Sequence, residues 1–308
     1  MSLVNSTVQD ISIKEDIGYE AIMGIIDRYI ERAIHWEDVT CLEVIGLDEI
    51  SLKKGHRDFV AIITGRMETE TIIVGGLPDR TKATVKAFLS GIPQRVRQTI
   101  HSVCADMYEG FVNAAKEVFG KRVKIVIDRF HVAKLYRSGL DSLRKHEFKR
   151  LKQELSEEAY GQLKGVMWAL RKSEEQLTDD DKDVLVCLFA HAPCLKMADE
   201  FCHALTSIFD TQLSKREGKR QILQWMSKVR ARDLRCFDRF LTTLENWLDD
   251  IANYFIDRHT SGFVEGFKNK LKVIKRRCYG ILNVTHLFQR VQLVFYGYSL
   301  FARKTIVL

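Results

Sequence analysis

Three carboxylates stand out by their surroundings: Asp48, Asp106 and Glu265. Asp48 falls in residues 41–51, where Leu42, Val44, Gly46, Asp48 and Ile50 alternate with Glu43, Ile45, Leu47 and Glu49. β-Branched and large apolar residues at period two read as a strand largely buried in a sheet. A lone charge in such a strand is costly, so Asp48 is either a strand-end residue in solvent or a metal ligand. Asp106 follows a second apolar run, and Glu265 lies in a late helical pattern. Three converging carboxylates meet the needs of two divalent cations. Hard Mg²⁺ or Mn²⁺ prefers oxygen ligands. Two such ions about 4 Å apart activate a water or a 3′-hydroxyl and stabilise the leaving oxygen of an in-line phosphoryl displacement.

Convergence requires a fold, and the pattern supplies one. Strands are expected at 42–50, 59–64, 71–75, 99–105 and 123–127, and helices at 81–90 and 108–119. The first three strands are joined by short turns and read as an antiparallel meander. The later strands alternate with helices and read as parallel crossovers. The order βββαβαβ makes strands one and four neighbours, which brings Asp48 and Asp106 toward one edge. Glu49 should face away from Asp48, as a structural or surface acid.

The chain divides into four stretches. Residues 1–38 read as a short helix, a turn at Gly18 and a longer helix with Ile22, Ile25, Ile26, Tyr29 and Ile30 on one face. That is the outline of a helix-turn-helix, which any helical hairpin shares. Residues 39–134 hold the first part of the α/β core. Residues 135–257 show no strand signal and read as a helical insertion. Residues 258–308 complete the core with the Glu265 helix. After Glu265 come Lys268, Lys270, Lys272, Lys275, Arg276 and Arg277, read either as a solvated helix face or as contacts to a phosphate backbone.

The 308 residues are 46% apolar and 29% charged, an ordinary globular composition with a formal charge of +7. No run is long and apolar enough for a membrane helix. The first residues show no secretion signal. The seven cysteines lack a CxxC pair and read as reduced core thiols of a cytoplasmic protein. His191, Cys194, Cys202 and His203 fit no standard zinc spacing. Trp168, Trp225 and Trp247 read as core of the helical block, with base stacking as the alternative. Tyr296 and Tyr298 lack the Arg/His company of a tyrosine recombinase.

Four segments in order resemble the DDE transposases of the ISL3 insertion-sequence group: residues 45–51 with Lys54-Gly55-His56; Asp106-Met107-Tyr108; Asp128-Arg129-Phe130-His131-Val132; and residues 262–266 through Asn269-Lys270 to residues 274–280. The resemblance implies a ribonuclease H-like core interrupted by a helical insertion. It implies Asp48, Asp106 and Glu265 as catalytic metal ligands, with Mg²⁺ or Mn²⁺ as cofactor. Asp128 and His131 resemble the acid-x-x-His signature found downstream of the second aspartate in several transposase superfamilies, as auxiliary contacts; from the residues alone they read equally as a helix N-cap and a core histidine. The expected partners are double-stranded DNA, at transposon ends and target, and further copies of the chain on that DNA; no membrane is expected. The expected location is the bacterial cytoplasm, on the nucleoid. Without the family's cysteine-rich segment before Cys41, the chain reads as N-terminally short. Two other readings keep the same residues: a nuclease or resolvase without strand transfer, and a cleavage-deficient or repurposed DNA-binding protein.

Overall fold

The computed structural model describes residues 2–4, 6–30, 34–53, 57–67, 70–258, 271–274, 276 and 283–302. The chain forms two compact units, residues 1–128 with 259–308, and residues 129–258.

The first unit is built on a five-stranded mixed sheet, β1 (Val44–Lys53), β2 (Arg57–Met67), β3 (Glu70–Leu77), β4 (Ser102–Ala105) and β5 (Lys124–Ile127). Their order across the sheet is β3-β2-β1-β4-β5. β1 pairs antiparallel with β2 and parallel with β4, and β4 pairs parallel with β5. β1 is therefore the strand where antiparallel meander and parallel crossovers meet, as the alternation of short turns and helices implies. β4 is shorter than expected: residues 99–101 stay outside the ladder, and the Thr99 hydroxyl is engaged by Leu42 N–H and the Val96 carbonyl instead.

Before the sheet come α1 (Val8–Glu15) and α2 (Tyr19–Tyr29); between its strands lie α3 (Lys82–Gly91) and α4 (Glu109–Phe119). The Thr81 hydroxyl accepts the Thr84 N–H and fixes where α3 begins. α4 turns Phe111, Val112, Ala114, Ala115 and Phe119 inward. The edge strand shows that both faces are covered. A Cβ on Gly75 would run into the Phe88 ring of α3, while one on Gly76 would touch Phe288. Successive strand residues point to opposite faces, so each glycine admits an aromatic ring from its own side.

The Phe288 side carries one contiguous cluster of Val60, Ile62, Ile73, Leu271, Ile274, Leu287, Phe288 and Val291. The final helix belongs to the long run Val284–Ala302 and also holds the N-terminal pair. Its Leu293 packs with Val4, Ile11, Ile22, Ile26 and Ile30, and its Gln289 amide donates to Asp27 and to the Ile30 carbonyl. The amphipathic face expected on α2 is corrected here. Ile22, Ile26 and Ile30 are buried, but Ile25 and Tyr29 are each 45% exposed, because the partners reach only one stripe. The turn also differs. The left-handed residue is Asp16, at φ 51°, while Gly18 caps α2 at φ −56°.

The second unit is helical: α5 (Arg129–Glu154), α6 (Asp179–His191), α7 (Pro193–Asp210), α8 (Lys215–Ala231) and α9 (Asp238–Ala252), with short turns between; the run Val284–Ala302 of the first unit is α10. Trp225 anchors this core, its ring against Phe201, Phe237 and Phe240 and its indole N–H donating to the Phe201 carbonyl at 2.9 Å. Trp247 is half-buried and Trp168 is 62% exposed, so the core reading fails for Trp168. Trp168 sits in a short turn, Val166–Ala169, where Val166 and Ala169 take the inward positions. Cys194 is likewise exposed, at the start of α7, whereas Cys104 and Cys202 are buried.

Candidate active site

The register of the sheet sets the first relationship. Leu47 on β1 pairs with Ala105 on β4, and Ala105 pairs with Ile127 on β5. Asp48, Asp106 and Asp128 are the next residue on each of three adjacent parallel strands. Neighbouring strands lie about 4.8 Å apart, so the Asp48 and Asp106 backbones stand at a separation suited to two carboxylates sharing a pair of cations. β1 runs on past this level, with Asp48 opposite Ile62 of β2. β4 and β5 stop, so only the β1 acid is held by a continuing strand.

The local chemistry of each acid follows from its backbone. Asp48 is 4% exposed, and its Oδ1 accepts the Glu49 N–H at 2.7 Å. Asp106 is half-buried, and its Oδ1 accepts the Tyr108 N–H at 3.1 Å. This short loop bond turns the chain out of β4 toward α4. Asp128 is 3% exposed, and its N–H donates to the Ala105 carbonyl at 3.0 Å, extending the β4–β5 ladder by one bond. His131 lies two residues into α5 of the helical unit, half-buried, with its ring edge-on to Phe130.

Glu49 faces away from Asp48 and pairs with the Arg80 guanidinium. Arg80 lies 4.2 Å from the Phe59 ring centroid and 4.7 Å from that of Tyr108. One cation thus ties β1, β2 and the loop after β4 together behind the two acids. Sequence reasoning missed Arg80. It sits in an irregular segment with no periodicity, between Pro78 and the Thr81 cap, and only tertiary contact reveals it. Cys104, two residues before Asp106, is no nucleophile. Burial, reinforced by the negative charge of Asp128 and opposed by Arg66, pushes its thiol up to about 12.

Glu265 and the basic residues Lys268, Lys270, Lys275 and Arg277 lie outside the described residues. Lys272 and Arg276 are exposed. Among the described residues no group of three or more His, Cys, Asp or Glu could hold a metal. The donor set of Asp48 and Asp106 is all oxygen, which suits a hard divalent cation and leaves coordination positions for a third carboxylate, water and phosphate.

The mixed five-stranded sheet thus carries Asp48 within β1 and Asp106 and Asp128 just past the ends of β4 and β5, at one level. The profile of the ISL3 group of DDE transposases, described as "Transposase", matches residues 45–291, and the chain belongs to that family. It is 24% identical over 308 residues to the transposase for insertion sequence element IS1001 of Bordetella parapertussis, covering 96% of this chain and 71% of that one. It is 23% identical over 280 residues to the transposase for IS1557 of Mycobacterium tuberculosis, covering 83% of this chain and 61% of that one. The chain thus spans less than two thirds of the IS1557 relative's length. Among the described residues no helix is long and apolar enough to cross a membrane.

Proposed function

We propose that the chain is a DNA transposase that cleaves at transposon ends and joins the freed 3′-hydroxyl to target DNA at a site formed by Asp48, Asp106 and Glu265. In this reading the first unit is a ribonuclease H-like core. Family membership supports the word transposase, and the register supports the site. The carrying observation is that Leu47 and Ala105 are parallel partners, so Asp48 within β1 and Asp106 just past β4 follow at one level.

Packing supports the third acid. Leu271 and Ile274 are buried in the cluster that contains Ile62, the cross-strand partner of Asp48. The segment that follows Glu265 is therefore anchored on the face of the sheet that Asp48 shares. Asp48 and Asp106 would hold the cations with Glu265; bound Mg²⁺ or Mn²⁺ would supply Lewis acidity and an activated oxygen nucleophile. The protein's own part is to fix the carboxylates. The ladder holds Asp48, the loop bond to Tyr108 N–H orients Asp106, and the Arg80 clasp restrains the surrounding backbone. Asp128 and His131 are auxiliary groups in this reading, and the basic residues from Lys268 to Arg277 meet phosphates beside the site. The active form would be a multimer on DNA, with the helical unit organising the ends.

The test is strand cleavage and joining on a labelled duplex carrying the element's end, with Mg²⁺ or Mn²⁺, for wild type and Glu265→Gln. Metal-dependent cleavage and joining that vanish in Glu265→Gln support the proposal. Cleavage without joining would make the chain a nuclease. Activity surviving Glu265→Gln would remove Glu265 from the site. DNA binding without any cleavage would leave a binding protein.

A further inference from the structure

The helical unit contains a half-open groove of about 740 Å³ whose character differs from an ordinary solvated helix face. One wall is α5, which contributes Phe130, Lys134, Arg137, Asp141 and Arg144; the facing wall carries Arg171. Four cations therefore face one carboxylate. Asp141 is committed to Arg144, with both guanidinium bonds at 2.8–3.0 Å, and to Lys145. Lys134, Arg137 and Arg171 are exposed and carry no carboxylate ion pair among the described residues. The groove thus keeps a positive field that its own acids do not cancel.

Two large aromatic rings accompany that field. Phe130, in the lining, is 44% exposed. Trp168, next to the lining residue Met167, is 62% exposed, and the Arg171 guanidinium stands 5.5 Å from its ring centroid. An isolated exposed aromatic on a surface needs no explanation. Two of them beside three exposed cations form the combination that holds a single strand, with cations on the phosphates and ring faces for the bases. In a duplex the base faces are already stacked on one another, so exposed rings gain nothing from it. From Phe130 to Arg144 the α5 wall runs about 20 Å at 1.5 Å per residue, room for several nucleotides.

We infer that this groove binds a single-stranded DNA segment, its phosphates on Lys134, Arg137 and Arg171 and an unpaired base against Trp168. The identity of the polyanion as DNA rests on the proposed transposase reading; the groove's charge and aromatic character do not. The groove would receive a strand exposed when the end of a duplex is opened, within the helical unit and by residues other than the metal-binding acids.

The test uses the full chain and a labelled oligothymidylate of about fifteen nucleotides, a length within the range one such groove and its flanks can occupy. Binding is read by fluorescence anisotropy across a salt series, with tryptophan emission recorded in parallel. Wild type should bind with an affinity that falls as salt rises and with a change in emission. Lys134→Glu combined with Arg137→Glu should weaken binding roughly tenfold or more and flatten the salt dependence. Trp168→Ala should weaken it by a similar factor and remove the emission change, and Trp168→Phe should restore most of the affinity. Wild-type affinity in both the charge and the Trp168→Ala variants, or preference for an unlabelled duplex of equal length over the single strand, would overturn the inference. The duplex cleavage assay run on the same proteins separates the two proposals. Groove variants that lose the oligonucleotide while wild type shows no cleavage leave the groove standing and sink the transposase reading. Cleavage-competent protein whose groove variants bind the single strand normally does the reverse.

Discussion

Asp48 stands directly opposite Ile62 on the β1–β2 ladder, and Ile62 belongs to the same buried cluster as Leu271. A buried acid in the middle of a strand is thus flanked by the apolar contact that anchors the segment following Glu265. Truncating Leu271 should act on both stability and chemistry. Leu271→Ala is expected to cost about 2–5 kcal/mol in urea unfolding, the range for emptying a buried leucine site. It should also lower the cleavage rate at temperatures where the protein remains folded. A loss of stability with an unchanged rate would show that the anchor does not position Glu265.

Metal binding should be visible without turnover. Anything that binds the folded state alone stabilises it, by about 2.7 kcal/mol at a concentration a hundred times the Kd. Mn²⁺ should raise the melting temperature of wild type and fail to do so in Asp48→Asn and Asp106→Asn. Each of these variants should lose cleavage by on the order of a thousandfold, since a bound ion supplies several kcal/mol of charge stabilisation and each 1.36 kcal/mol is tenfold in rate. An equal thermal shift in all three proteins would place the cation elsewhere.

Gly139 reverses the usual sign of a helix substitution. Glycine inside a helix ordinarily costs up to about 1 kcal/mol relative to alanine. Here a Cβ would collide with the Cys236 carbonyl oxygen, a backbone atom that cannot swing aside. Gly139→Ala should lower the melting temperature, through separation of α5 from the turn Arg235–Phe237. A higher melting temperature would show that these elements can part without penalty.

Asp199 is a buried acid on α7, 8% exposed, with its Oδ1 lacking a hydrogen bond. Burial raises its pKa from 3.8 to about 6, against the lowering influence of His203 and Arg137. Between those two values the folded chain keeps a proton that the unfolded chain has released. Stability from this group is therefore fully present below the unfolded pKa and falls as pH rises toward 6. Asp199→Asn should gain roughly 3 kcal/mol over wild type above about pH 7 and little below about pH 4, by the same linkage. Thermal unfolding across that pH range checks it; a gain that is largest at acid pH would contradict the sign.

The sequence by itself determined the alternation that makes β1, the short turns that make β2 and β3 its antiparallel neighbours, and the helical spacers that make β4 and β5 parallel. Those are local signals, carried by periods of two and 3.6 and by the short connections between the first three strands. With them came the adjacency of Asp48 and Asp106, because strand order follows from connection type. What only the tertiary structure decided is which side of an amphipathic element meets a partner. Ile25 and Tyr29 on α2 carry the same apolar signal as Ile22 and Ile26, yet only the latter pair faces the final helix and the N-terminal residues. Trp168 and Trp225 are the same residue type in the same helical block, yet Trp225 found three aromatic neighbours and Trp168 found solvent and Arg171. Arg80 carries no periodicity at all, and only the meeting of Glu49, Phe59 and Tyr108 gives it a role. Periodicity reports how much of a side chain's surface wants burial. The partner that provides it comes from residues far away in the chain, and that assignment exists only once the elements have packed.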